Sequence, residues 1–192
     1  MEQVLEPHAQ FGEDIWVHAN LPHIPIRTFC EVGAYDGIES SNTFAFEKLG
    51  ARGICVEADS EMAQRCMKNR VSPTYCCAIG KVNGTELFYV NHGARGNSGL
   101  ARPGTPENVR VYTLYDVLKL AGLTTLDLLS IDAEGTELDV IAGMGPIRPE
   151  IIIAEFWTQP NPPIPDTIKG GIEPLGYKEV HRTEANLIFT KT

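Results

Sequence analysis

The sequence predicts an α/β doubly wound, Rossmann-like fold: a mostly parallel sheet with helices on both faces. Three observations predict it. Five near-continuous apolar runs read as strands buried on both faces, which is the mark of a parallel sheet. Segments of helical spacing alternate with them. The C-terminal stretch breaks that rhythm and reads as an antiparallel hairpin.

A helical lead-in is expected over residues 1–26. The first strand is "TFCEVGA" (28–34), short, apolar and partly β-branched, running into a turn with Gly33 and Gly37. Helix 40–50 follows, with Ser40, Ser41, Asn42 and Thr43 as N-cap candidates and Gly50 as its stop. "RGICVEA" (52–58) is the second strand, and helix 59–70 opens with Asp59 and Ser60, either able to cap. The third strand is "TYCCAIG" (74–80). Residues 84–107 read as an inserted short strand followed by a glycine-rich loop. Helix 113–122, strand "LDLLSID" (126–132), helix 135–144 and strand "EIIIAEF" (150–156) resume the alternation. Residues 157–175 read as a proline-rich loop and a helix. Two strands, 176–182 and 186–191, then turn at Thr183 to Ala185. We find no repeat or linker, and a chain of 192 residues that is 43% hydrophobic suits one domain, 1–192.

Composition narrows the partners. The net charge of -9 argues against nucleic acid, which is bound by Lys and Arg neutralising phosphates, and against an anionic membrane surface. No apolar run approaches the roughly 20 residues that span a bilayer. The acidic N-terminus lacks the pattern of a signal peptide, so a cytoplasmic location is expected. The five cysteines show no CxxC spacing. Cys30, Cys55, Cys76 and Cys77 lie in or beside strands, where free cysteine acts as a small hydrophobe.

Doubly wound sheets bind ligands at the carboxyl ends of their strands. Here those ends are acidic: Glu31 and Asp36, then Glu57 and Asp59, then Asp132 and Glu134, then Glu155, with no clustered Lys or Arg. A pyrophosphate needs donors and positive ends, and neither GxGxxG nor a P-loop is present. Acceptors at strand ends suit hydroxyls, amines and cations. S-adenosylmethionine offers all three as ribose diol, α-amino group and sulfonium. Glu57 would accept the ribose hydroxyls, Gly33 would let the backbone approach the ligand, and Glu31 or Asp36 would face the cationic methionine end.

The blocks "FCEVGAYDGIESSNTFAFEKLGARGICVEAD" and "LDLLSIDAEGTELDVIAG" resemble the two signature blocks of the FkbM family of S-adenosylmethionine-dependent methyltransferases. "AQFGEDIWV" (9–17) is similar to the Gln-x-x-Glu-Asp segment that often precedes the first. The resemblance implies a class I methyltransferase sheet of seven strands, the last-inserted one antiparallel. It maps a cofactor turn onto Glu31, Gly33, Ala34, Asp36 and Gly37, a ribose-binding acid onto Glu57, and a motif after the fourth strand onto Asp132, Glu134 and Gly135. Because known members mostly methylate hydroxyls on natural products and sugars, it implies O-methylation of a small-molecule or glycan acceptor.

The expected cofactor set is therefore Glu31, Gly33, Ala34, Tyr35, Asp36, Gly37, Ser41, Asn42, Glu57, Ala58, Ala78 and Asp132. The expected catalytic residues are Asp132 and Glu134, with His92 and His181 as weaker candidates. A divalent metal such as Mg²⁺ between Asp132, Glu134 and Glu155 is the lesser alternative for activating the acceptor. Tyr35, Tyr112 and Trp157 are candidates for the acceptor pocket, and Phe88 is expected in the core. Residues 92–107 and 157–166 are expected at its mouth. Two rival readings remain: a degenerate nucleoside-binding module, and an NAD-dependent oxidoreductase, for whose second mononucleotide-binding half the chain has no room.

Overall fold

The computed structural model describes residues 5–100, 102–156 and 164–192. Helix α1 (Glu13–Asn20) leads into β1 (Thr28–Val32), followed by α2 (Phe44–Lys48), β2 (Arg52–Glu57), α3 (Ser60–Asn69), β3 (Thr74–Cys76) and β4 (Ala78–Ile79). Then come β5 (Gly84–Val90), β6 (Thr105–Tyr112), α4 (Leu114–Leu120), β7 (Leu128–Ile131), α5 (Glu137–Ala142) and β8 (Ile151–Glu155). The chain closes with α6 (Pro165–Ile172), β9 (Tyr177–Arg182) and β10 (Asn186–Lys191).

The main sheet has seven strands in the order β3-β2-β1-β7-β8-β10-β9. All pairs from β3 to β8 are parallel, and β10 runs antiparallel to both β8 and β9. The expected hairpin is there, and its second strand inserts between β8 and β9. The order reverses at β1, which pairs with β2 on one side and β7 on the other. That switch point brings the turn after β1 beside the turn after β7. Apolar side chains fill both faces. Leu129, Ile131, Ile152 and Phe189 pack with α4, α5 and α6, while Phe29, Leu128, Ile153 and Ile188 pack with α1 and α2.

Two expectations are corrected. The strand expected over 74–80 is two: the Cys77 N–H turns to the Glu57 carbonyl, and β4 leaves the main sheet to pair with β6. With β5 these strands form a second sheet in the order β4-β6-β5. β3 is therefore an edge, and Cys76 at its end is exposed instead of buried. Strand β6 begins in the last residues of the expected glycine-rich loop, 84–107, and continues over 108–112, where no element was expected. "TPENVRVY" carries no apolar alternation because most of it is exposed. Pro106 is tolerated because β4 reaches only Val111 and Tyr112, leaving the Pro106 end an edge on that side. Among the described residues no helix is long and apolar enough to cross a membrane.

Candidate active site

The turn after β1 is held by backbone. The Gly33 and Ala34 N–H groups both donate to the Val56 carbonyl, at 2.9 and 3.1 Å. Gly33 has φ +80°, and a Cβ there would meet the Asp132 carbonyl oxygen at 1.7 Å. Gly33 is thus required first by the close approach of β1 and β7. Gly37, at φ +87°, makes room for the Arg70 stem, whose Cγ would lie 2.7 Å from an added Cβ.

Arg70 is the pin beneath this turn. Its fully buried guanidinium pairs with Glu31 at 2.9 Å and with Glu47, and donates to the Gly37 carbonyl and the Thr43 hydroxyl. The Phe29 and Phe44 rings lie within 5.3 Å of it. Glu31 also accepts from the Ser41 and Thr43 hydroxyls and from the Asn42 N–H. A charge buried this deeply persists only when paired and hydrogen-bonded. Glu31, Ser41 and Asn42 therefore support the turn from below, and none of them lines the cleft. Asp36 accepts from the Ile38 and Glu39 N–H groups, so it too serves the turn, not the cleft.

Above the turn lies a cleft in two parts. The inner part is lined by Gly33, Tyr35, Val56, Glu57, Ala58, Ala78, Ile79 and Phe88, and closed by Gly96, Ser98 and Leu100. It holds about 70 Å³. The outer part, about 520 Å³, is lined by Gln10, Phe11, Glu39, Ser40, Arg95, Asn97 and Glu155. Tyr35, Gly96, Asp132 and Glu134 line both, so they stand where the two meet. Among the described residues, the non-glycine residues at positive φ are Tyr35, Ser40 and Glu134, and all three line the cleft. Such strain persists where surrounding structure imposes it and gathers at functional sites.

Glu57, at the end of β2, is the inner cleft's acid. One carboxylate oxygen accepts from the Tyr35 N–H at 2.7 Å, the other from the Asp59 N–H at 2.8 Å. Each oxygen keeps a lone pair for a further donor. Burial pushes the carboxyl up to about 7, against the pull of those two N–H groups.

At the junction, Asp132 is open to the cleft but ringed by protein on its other sides. That surrounding pushes its carboxyl up to about 6, although contact with Glu155 pulls it down. Glu134 is turned away onto Arg102 as an ion pair. Glu137 is buried and accepts from the Ala133 and Gly135 N–H groups, fixing the turn after β7. Glu134 therefore does not join Asp132 and Glu155, and among the described residues no three His, Cys, Asp or Glu side chains are placed to hold a metal.

Of the expected cofactor set, Gly33, Tyr35, Glu57, Ala58, Ala78 and Asp132 line the cleft. Buried Ala34 supports the turn with the residues already named. Phe88, expected in the core, is buried and also walls the inner cleft. Tyr112 opens on a separate groove, and His181 stacks on Trp16 instead of facing the cleft. His92 stands 3.3 Å from Arg95. Trp157 and residues 157–163 lie outside the described residues.

Sequence reasoning did not single out Gln10 or Phe11 as cleft residues, nor Arg95 and Ser98 within the expected mouth segment 92–107. The first two reach the cleft because buried Asp14 accepts from the His8 and Ala9 N–H groups, while buried Glu13 binds the Phe11 N–H and Asn186. Two adjacent acids at the start of an amphipathic helix were the available signal. Arg95, which lines the outer part, reaches Asp59, which also caps α3, and Glu61.

The donor set fits S-adenosylmethionine. Glu57 has the free acceptors for a ribose diol. Val56, Ala78, Ile79 and Phe88 give an apolar wall that suits a ring, and Asp132 adds an acceptor where the two parts of the cleft meet. Among the described residues no Lys or Arg lines the inner part, which suits a ligand without phosphate.

Comparisons with known proteins agree with this geometry. The chain resembles in fold a candidate RNA methyltransferase from Pyrococcus horikoshii, with a TM-score of 0.56 and 13% identity over 100% of this chain and 87% of that one. It also resembles a TehB-like SAM-dependent methyltransferase from Corynebacterium glutamicum, with a TM-score of 0.52 and 10% identity over 95% and 89% of the two chains. A candidate caffeoyl-CoA O-methyltransferase from Staphylococcus aureus gives a TM-score of 0.53 and 10% identity over 93% and 80%. No curated protein matches significantly in sequence. At such identities these likenesses establish the fold, while residues 31–167 match the methyltransferase FkbM domain itself. The chain belongs to the FkbM family of S-adenosylmethionine-dependent methyltransferases.

Proposed function

We propose that this domain methylates a hydroxyl of a small molecule, a sugar or another natural product. One observation carries the reading: of the two carboxylates at the junction of the cleft's parts, Glu134 is held by Arg102, while Asp132 is in no ion pair among the described residues. S-adenosylmethionine, once bound, supplies a methyl group already activated on a sulfonium. What the chain must add is alignment and a proton acceptor. Alignment can contribute roughly 7–11 kcal/mol. A base is most effective when it titrates near working pH, and the raised Asp132 carboxyl approaches that range. The outer cleft, rich in acceptors and about 520 Å³, suits a polyhydroxylated acceptor.

The test is transfer of labelled methyl to a panel of sugars, alcohols and phenols, with amines alongside. Labelled ethers are expected. Labelled amines alone would overturn the hydroxyl reading. Asp132→Asn keeps the shape and removes the charge. It should lower turnover by about 10²–10⁴, with S-adenosylhomocysteine affinity within a few fold. Turnover at the wild-type rate would remove Asp132 from the chemistry.

A further inference from the structure

The carboxyl ends of β7 and β8 carry two acids in contact. Register pairs Ile131 with Ala154, so Asp132 and Glu155 are the next residues on adjacent parallel strands. Both line the outer cleft. Glu155 Oε2 is buried and has no partner among the described residues. Two ionised carboxylates could offer each other only acceptors. A single proton between them turns the contact into a hydrogen bond.

We propose that Glu155 is a positioning residue of the reaction centre: it shares one proton with Asp132 and fixes the Asp132 oxygen that receives the acceptor's proton. This rests on the methyl-transfer reading above. In the step, the acceptor oxygen displaces the thioether from the methyl carbon. It gains the methyl and leaves the old bond's electron pair on sulfur. Its hydroxyl proton passes to Asp132. The pair then holds two protons and returns one to water through the outer cleft.

The surroundings decide where the resting proton sits. Glu137 from α5 adds negative charge near both members of the pair, and Glu31 from β1 adds it near Asp132, while Arg102 offsets part of it. Glu39, Glu134 and Arg95 line the same cleft. Glu13 of α1 lies beyond Asn186, the β10 residue opposite Glu155. Burial and the neighbouring carboxylates raise the Glu155 carboxyl, whose Oε2 is buried, while Asp132 is open to water in the cleft, so the resting proton belongs on Glu155 and the charge on Asp132.

Infrared spectra recorded in H₂O and D₂O at about pH 8.5 test the pair. By that pH Glu57, near 7, has ionised. A deuterium-sensitive stretch of a protonated carboxyl is expected in the wild type. Glu155→Gln should abolish it and Asp132→Asn should shift it. If Glu155→Gln does not fold, Asp132→Asn and a pH titration of the wild-type band read the same proton. Titration with S-adenosylhomocysteine runs in parallel. Binding without the band overturns the shared proton and leaves the methyl-transfer reading standing. The band without binding overturns that reading, and with it the catalytic use of the pair.

Discussion

A methyl group on Gly33 would sit 1.7 Å from the Asp132 carbonyl, so the glycine that opens the cofactor turn answers to a strand far along the chain. That contact explains which site residues were legible in sequence and which were not. Gly33, Glu57 and Asp132 could be read because a strand end in a doubly wound sheet faces the ligand crevice. Glu31, Asp36, Ser41 and Asn42 could not be assigned, because spacing does not reveal that Arg70 arrives beneath the turn and engages the first of them. Glu57 keeps acceptors facing the inner cleft, and hydrogen bonds to a charged group contribute about 1.5–3 kcal/mol each. Glu57→Ala should therefore weaken S-adenosylhomocysteine binding by about tenfold or more, as calorimetry would read. Its circular dichroism should remain that of the wild type. Unchanged affinity would place the ribose elsewhere.

At the scale of elements, the segment between β5 and β6 closes the inner cleft. Arg95 holds it by donating to both Asp59 oxygens, at 2.8 and 2.7 Å, and by pairing with Glu61. Asn91 and Ser98 pull the segment's ends together, with the Asn91 N–H donating to the Ser98 hydroxyl at 2.9 Å. Its glycines announced a loop, but neither the clasp nor β6 was visible: an arginine in a loop has no periodicity, and β6 buries only Val111 near its end. The inner part's 70 Å³ takes only a few waters, so this segment is expected to move outward when a nucleoside enters. Hydrogen exchange over 92–100 should be fast in the free protein and slowed by S-adenosylhomocysteine. Arg95→Ala should speed exchange in the free protein and weaken binding a few fold. Equal protection with and without ligand would make the segment a fixed wall.

Across the whole molecule, the topology gathers carboxyls at one end of one sheet. The alternation of strands and helices made the sheet legible, and the acidic strand ends made the crevice legible. Their protonation was not legible, because it depends on how many acids the fold brings together and how little water it leaves them. Glu57 is pushed up to about 7 and Glu155 to about 10, and Glu137 is raised as well, each chiefly by burial, while Asp132, open to the cleft, is pushed up to about 6 by the protein on its other sides. The sign follows from linkage. An acid whose folded pKa exceeds its unfolded value near 4 binds its proton more tightly in the folded state. Its stabilising contribution is complete below that unfolded value and is lost as pH rises through the folded one. The melting temperature should therefore fall between about pH 5 and pH 9. The net charge of -9 predicts a fall in the same direction through repulsion among exposed carboxylates, but salt screens that term and does not screen burial. Melting curves at high salt isolate the buried acids. There Glu155→Gln should show a shallower fall than the wild type, because Gln keeps a donor for Asp132 and has no proton to lose. A wild-type melting temperature that is flat or rises over this range at high salt would mean that these acids are ionised in the folded protein at no cost, and that the strand ends are wetter than the cleft geometry implies.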